Sequence, residues 1–188
     1  MPGQQMRRRD FWAAALATGA ATRGGTALLL NLSNRRLITA ENHEVARRWV
    51  IPPGSTIKPF TLLTLLQSKK LTPTDTFLCP QRLTIEGHSL NCAHPPTALP
   101  MNASRAIAYS CNCAVAHFAQ RFAPGQLTSY LTQIGFASTT GILPGPESPG
   151  MVETAITPEA CQLQALGETG IAITALELLR AYASIARR

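Results

Sequence analysis

Charge is scarce in this sequence: Asp, Glu, Lys and Arg make up 14% of its 188 residues, against about 25% in an ordinary globular chain. With 45% hydrophobic residues, the composition excludes intrinsic disorder and supports one packed core. The length suits one domain and is too short for two full-sized ones. Lysine is nearly missing; of 17 basic residues only Lys58, Lys69 and Lys70 are lysines. Aromatic residues are 6% and scattered, and no basic stripe is interleaved with them, so the net charge of +7 does not argue for nucleic acid. That charge is compatible with an anionic cell-envelope polymer or with a solvated surface. No apolar run of about 20 residues is present, which excludes a full-length transmembrane helix. Gly at 13 and Pro at 14 exclude collagen-like and low-complexity classes.

The N-terminus reads as an address. Arg7-Arg8-Arg9 is followed by Asp10-Phe11-Trp12 and an Ala-rich apolar stretch to Ala21. A basic start, a short apolar segment and the small-residue triplet Ala15-Leu16-Ala17 follow the order of an export signal. Arg8-Arg9-Asp10-Phe11-Trp12 resembles the twin-arginine type, without a Ser before the pair. Residues 1–21 are therefore set apart from the fold. The expected location is the periplasm or the outer face of the cytoplasmic membrane. No cysteine follows the apolar stretch, so a lipid anchor is not expected.

Five cysteines remain: Cys79, Cys92, Cys111, Cys113 and Cys161. Cys79 and Cys92 bracket two short strand-like pieces, Arg82 to Leu90, around a turn at Glu86-Gly87-His88. A disulfide between them would close a loop of about 14 residues, worth roughly 3 kcal/mol in the chain-entropy view. Cys79, His88, Cys92 and His94 form a rival zinc set, although their spacing matches no standard finger. Cys111-Asn112-Cys113 could be a redox or metal pair, or simply two small buried residues.

Ala27 to Leu32 and Leu37 to Thr39 read as an antiparallel hairpin around Ser33-Asn34. Glu41 to Val50 reads as polar and irregular. Pro52-Pro53-Gly54 stops any preceding element, and a helix is predicted from Ser55 through Leu66, with Pro59 near its first turn. Asn102 is a candidate N-cap for a helix through Tyr109. Further helices are predicted over about 114–122, 126–134 and 159–166. Thr174-Ala-Leu-Glu177 is a capping box opening a helix that carries Leu178, Leu179, Tyr182 and Ile185. Strands come first and helices follow, so the fold class is α+β.

Two short patterns carry chemistry. Ser55-Thr-Ile-Lys58 spaces a hydroxyl and an amine by about one helical turn, so that they share a face. A serine is a poor nucleophile until a base takes its proton, and a lysine can be that base once burial lowers its pKa. The segment after Lys58 is almost wholly apolar, so a lone lysine at the start of that helix needs a reason. Ser110-Cys111-Asn112 lies between two predicted helices and brings a second hydroxyl and an amide to one place. Each pattern alone also fits local capping.

Together with their order in the chain, these patterns resemble the penicillin-binding protein transpeptidase family, serine enzymes related to β-lactamases. The resemblance runs from Thr26 to Arg188. It rests on Pro-Pro-Gly-Ser55-Thr-Ile-Lys58-Pro-Phe, Ala106-Ile-Ala-Tyr-Ser110-Cys-Asn112, Ile134-Gly-Phe136, and the Leu166-to-Ile185 stretch with its Gly-Glu-Thr-Gly and Ala-Tyr-Ala. It implies a β-lactamase/transpeptidase-like fold, an antiparallel sheet with a helical subdomain. Ser55 would be the acylated nucleophile, Lys58 its base, and Ser110 and Asn112 the second motif. The implied reaction is acyl transfer from the D-Ala–D-Ala end of a peptidoglycan stem peptide, with β-lactams as covalent inhibitors. It needs no metal or cofactor. A cell-wall synthesis complex is the implied setting.

One landmark is missing. The family's K-[ST]-G would lie on a core strand beyond the Ala-Tyr-rich helix, and no lysine here precedes Thr-Gly or Ser-Gly. Glu168-Thr169-Gly170 puts an acid in the cation's place. The domain is thus expected to be incomplete at its C-terminus, with little turnover of its own. A β-lactamase-like hydrolase and a non-catalytic envelope-binding module derived from the family are the alternatives.

Overall fold

The computed structural model describes residues 25–187; the export-signal reading lies outside them. Ala27–Leu30 (β1) pairs antiparallel with Leu37–Glu41 (β2), as the hairpin pattern predicts. The segment read as irregular instead contains a helix, His43–Arg48 (α1). Its apolar pattern is only Val45 and Ala46, too short to show a helical period. Glu44 supports the turn through ion pairs to Arg47 and Arg48. Ala46 is buried beside Leu143 and Leu176.

Gly54–Ile57 forms a 3₁₀ turn that runs directly into Lys58–Gln67 (α2). This helix is central: Phe60, Leu62 and Leu65 are fully buried. Thr84–Ile85 (β3) and His88–Ser89 (β4) pair across the predicted Glu86-Gly87 turn. Ala103–Ala108 (α3) starts at Asn102, whose side chain accepts from the Arg105 N–H. Asn112–Ala119 (α4) begins earlier and ends sooner than its apolar pattern predicts, because the Cys111 sulfur caps it by accepting from the Ala114 N–H. Gln126–Gln133 (α5) follows.

Pro158–Leu166 (α6) packs against α4, where Ala114, Ala116 and Ala119 let the two helices approach. Met151–Val152 (β5) and Ile171–Ala172 (β6) pair antiparallel. The buried Gln164 amide fastens them, donating to the Glu153 and Gly170 carbonyls while its oxygen accepts from Thr128. The described residues thus form three small antiparallel sheets among helices, an α+β arrangement, rather than one continuous sheet. Among the described residues no helix is long and apolar enough to cross a membrane.

The last helix, Ala175–Ala186 (α7), carries the predicted capping box. Glu177 does more than cap. Its carboxylate is 1% exposed and accepts from the backbone N–H groups of Thr174, Ser138 and Gly150. It therefore ties α7 to both ends of the Gly/Pro-rich loop. Glu177→Ala would leave one buried donor, on Thr174, unpaired at about 1–3 kcal/mol, and two partly buried ones, on Ser138 and Gly150, at the lower end of that range. The expected cost is about 3–5 kcal/mol, or roughly 10 °C in the melting temperature of a domain this size, read by thermal unfolding.

Candidate active site

The 3₁₀ turn decides how Ser55 and Lys58 relate. With three residues per turn, positions i and i+3 eclipse, so the two side chains leave the same edge, and the Lys58 N–H bonds the Ser55 carbonyl. Two glycines make the turn possible. Gly54 has φ +54°, and its N–H donates to the Gly167 carbonyl at 3.0 Å. Gly167, the C-cap of α6 with φ +76°, lies so close that a Cβ there would sit 2.7 Å from the Gly54 nitrogen and closer still to its oxygen. On the other side, the Tyr182 hydroxyl of α7 donates to the Thr56 carbonyl at 2.8 Å, and its ring meets Phe60 edge-on.

Lys58 is 2% exposed. Its amine donates to the Ser110 carbonyl at 2.8 Å, to Ser110 Oγ at 3.0 Å and to Asn112 Oδ1. An ammonium has three protons, and all three are used. No carboxylate is bonded to it. Burial accordingly lowers the Lys58 pKa from 10.5, opposed in part by negative charge at Cys92, Cys111 and Glu168. Ser110 reaches the amine with both backbone and hydroxyl because it is left-handed, φ +48°, a conformation that costs a non-glycine residue of order 1–3 kcal/mol and clusters at functional sites. The other end of Asn112 donates to the Leu90 carbonyl at 3.0 Å, so one amide joins Lys58 to the β3–β4 segment.

The structure thus brings Lys58, Ser110 and Asn112 into direct contact. Ser55 is exposed one turn from Lys58, with no hydrogen bond from its hydroxyl among the described residues, to Lys58 included. Within Glu168-Thr169-Gly170 the glycine serves the turn into β6, with φ +69° and a carbonyl that accepts from Glu153 and Gln164, while Glu168 is near enough for its charge to act on Lys58.

The cysteines are placed differently from either sequence expectation. All five thiols are free, and the Cys79 and Cys92 sulfurs are 3.6 Å apart, not bonded. His88 lies exposed on β4, outside the group. In its place stands Cys111, so that Cys79, Cys92, His94 and Cys111 converge with their ligand atoms all within 4.8 Å of one another. Sequence spacing misses Cys111 because it arrives from a helix cap 19 residues after Cys92. Burial alone would raise the Cys92 thiol, but hydrogen bonds from the Cys113 N–H and the neighbouring thiols bring it down to about 7. Burial pushes Cys111 up to about 12.

The fold has close counterparts. A peptidoglycan glycosyltransferase structure from Burkholderia ambifaria aligns with a TM-score of 0.77 at 20% identity, covering 93% of this chain and 56% of that one. The transpeptidase domain of Burkholderia pseudomallei penicillin-binding protein 3 aligns at 0.77 and 19% identity, covering 100% and 60%. Penicillin-binding protein PBP2 from Helicobacter pylori aligns at 0.77 and 20%, covering 96% and 41%. The chain therefore spans between two and three fifths of the length of these structures. No curated protein matches in sequence. The family model of the penicillin binding protein transpeptidase domain matches residues 25–188, nearly the whole chain beyond its basic N-terminus. This chain belongs to the penicillin-binding protein transpeptidase domain family.

Proposed function

We propose that the chain contributes the nucleophile, base and second motif of an acyl-serine D,D-transpeptidase acting on peptidoglycan stem peptides outside the cytoplasm. The observation that carries this reading is the buried Lys58 amine held by Ser110 and Asn112 one turn from an exposed serine. Deprotonated, Lys58 frees a lone pair that can take the Ser55 proton. Ser55 Oγ then attacks the carbonyl of the penultimate D-Ala, and the Ser55 N–H, unlike those of Gly54 and Thr56, is left to donate to the developing oxyanion. The D-Ala–D-Ala amide breaks, and its nitrogen receives the proton from Lys58 by way of the Ser110 hydroxyl. An acceptor amine, or water, then takes the acyl group and restores Ser55. Asn112 holds the lysine in place with one end of its amide.

A β-lactam follows the first half of this path. Its ring amide opens onto Ser55, but the amine stays tethered, so the acyl group remains. The MreC complex of the Helicobacter pylori relative supports a setting in a cell-wall assembly, and the Arg8-Arg9 signal supports export. The test incubates the purified protein with benzylpenicillin. One adduct per chain is expected by intact mass, mapped to the Ser55 peptide and lost in Ser55→Ala. A folded protein that takes up no adduct, or takes it up equally in Ser55→Ala, overturns the assignment.

A further inference from the structure

We infer that Cys79, Cys92, His94 and Cys111 form a tetrahedral Zn²⁺ site. The distances carry the argument. Tetrahedral zinc with Zn–S of about 2.3 Å and Zn–N of about 2.0–2.1 Å sets its ligands about 3.8 Å apart between two sulfurs and about 3.5 Å between sulfur and nitrogen. The sulfurs of Cys79 and Cys92 are 3.6 Å apart, those of Cys92 and Cys111 3.7 Å, and Cys79 Sγ lies 3.5 Å from His94 Nε2. The remaining pairs stay within 4.8 Å. Four ligand atoms from three separate stretches of chain therefore outline one coordination tetrahedron. A disulfide would need about 2.05 Å between sulfurs.

The surroundings are those of metal ligands. His94 Nδ1 lies 2.9 Å from the Pro95 carbonyl. A carbonyl only accepts, and at 2.9 Å it lies closer than the Gln81 Nε2 donor at 3.4 Å, which assigns the proton to Nδ1 and leaves the Nε2 lone pair 3.5 Å from Cys79 Sγ. This is the outer hydrogen bond that sets the tautomer of a ligating histidine. Gln81 Nε2 donates to the His94 carbonyl at 2.8 Å and steadies the same residue. Each sulfur accepts one backbone N–H: Gln81 to Cys79 at 3.3 Å, Cys113 to Cys92 at 3.5 Å, Ala114 to Cys111 at 3.4 Å. Such bonds favour thiolate over thiol. Cys113, also close to Cys92, instead directs its sulfur at the Arg82 carbonyl as a donor, 3.6 Å away, and stands outside the set.

Three thiolates and one imidazole in a closed tetrahedron select Zn²⁺ over harder cations and leave no open position, which makes the site structural. Its place gives it a job. Cys111 sits between Ser110 and Asn112, so a bound ion would lock the second motif to the β3–β4 segment. That consequence rests on the proposed acylation chemistry; the site itself does not.

The experiment is a Co²⁺ titration of the reduced protein, with Zn²⁺ as competitor. About one equivalent is expected to saturate thiolate-to-cobalt charge-transfer bands and the intense visible bands of a tetrahedral site, and Zn²⁺ should bleach both. His94→Ala and Cys111→Ser should each weaken binding by more than about 100-fold. His88→Ala and Cys161→Ser should titrate like the unaltered protein. No thiolate bands from the folded, reduced, unaltered protein would overturn the site without reliance on any variant. So would loss of binding in His88→Ala, or unchanged binding in Cys111→Ser. Benzylpenicillin labelling, run with and without Zn²⁺, separates the two proposals. Metal bound with no labelling in either form leaves the site standing and sinks the acylation reading.

Discussion

Lys58→Met is expected to slow acylation by benzylpenicillin by about 10²–10⁴-fold, the usual contribution of a positioned general base, while the protein stays folded. Methionine matches the length of the lysine stem and keeps the apolar contacts of α2. The core around Phe60, Leu62 and Leu65 does not depend on the amine. The acceptors left behind, the Ser110 carbonyl and hydroxyl and the Asn112 oxygen, belong to an exposed and a half-buried residue that water can reach. Far-UV circular dichroism reports the fold and intact mass against time reports the rate. Labelling at the unaltered rate would show that another group takes the Ser55 proton.

The same lysine sets a pH dependence. Burial lowers its pKa in the folded state below 10.5, so the folded protein holds that proton less tightly than the unfolded chain. The associated destabilisation is fully present below the folded pKa and is relieved as pH rises from there toward 10.5. The neutral amine is the base, so the labelling rate should climb over the lower part of that same window. In Lys58→Met both the climb and the lysine-linked part of the stability change should vanish.

Gly167→Ala is expected to be the most damaging small substitution on the α6 side of the site. A Cβ there meets the backbone of Gly54, which has no rotamer with which to yield. Overpacking costs about 1–3 kcal/mol, and an alanine at φ +76° adds a strain of about 1–2 kcal/mol. A loss of about 2–5 kcal/mol corresponds to roughly 10 °C in melting temperature. Relief requires Gly54 to move, and Ser55 moves with it. The labelling rate should therefore fall even at temperatures where Gly167→Ala is fully folded. A lowered melting temperature with normal labelling would mean that the turn carrying Ser55 is held by Tyr182 and by the Pro53 carbonyl, which accepts from the Thr56 hydroxyl, rather than by Gly167.

Local rules account for much of the fold and for the members of the candidate site. The Ser33-Asn34 hairpin, the Asn102 cap and the Thr174–Glu177 capping box all follow from short stretches of sequence, and the structure contains all three. Helix α1 is illegible because two apolar residues cannot display a period. The early start of α4 is illegible because a sulfur is not an expected cap. Ser55, Lys58, Ser110 and Asn112 stand out as candidates from spacing together with the family resemblance. Their grouping depends on a left-handed Ser110 and on a pair of glycines far apart in the chain, and neither leaves a local trace. Local spacing also puts His88 with Cys79 and Cys92, where the fold brings Cys111.

The separation of the partners in the chain has a kinetic meaning. Lys58 meets Ser110 and Asn112 across more than 50 residues, and Gly54 meets Gly167 across more than 100. Each meeting must offset the entropy of closing its loop before it stabilises anything, and contacts of such range make folding slow. Helices and hairpins alone, however completely formed, leave Ser55 without its lysine cluster. An acylated Ser55 would thus be a chemical record that the most distant parts of the chain had found each other.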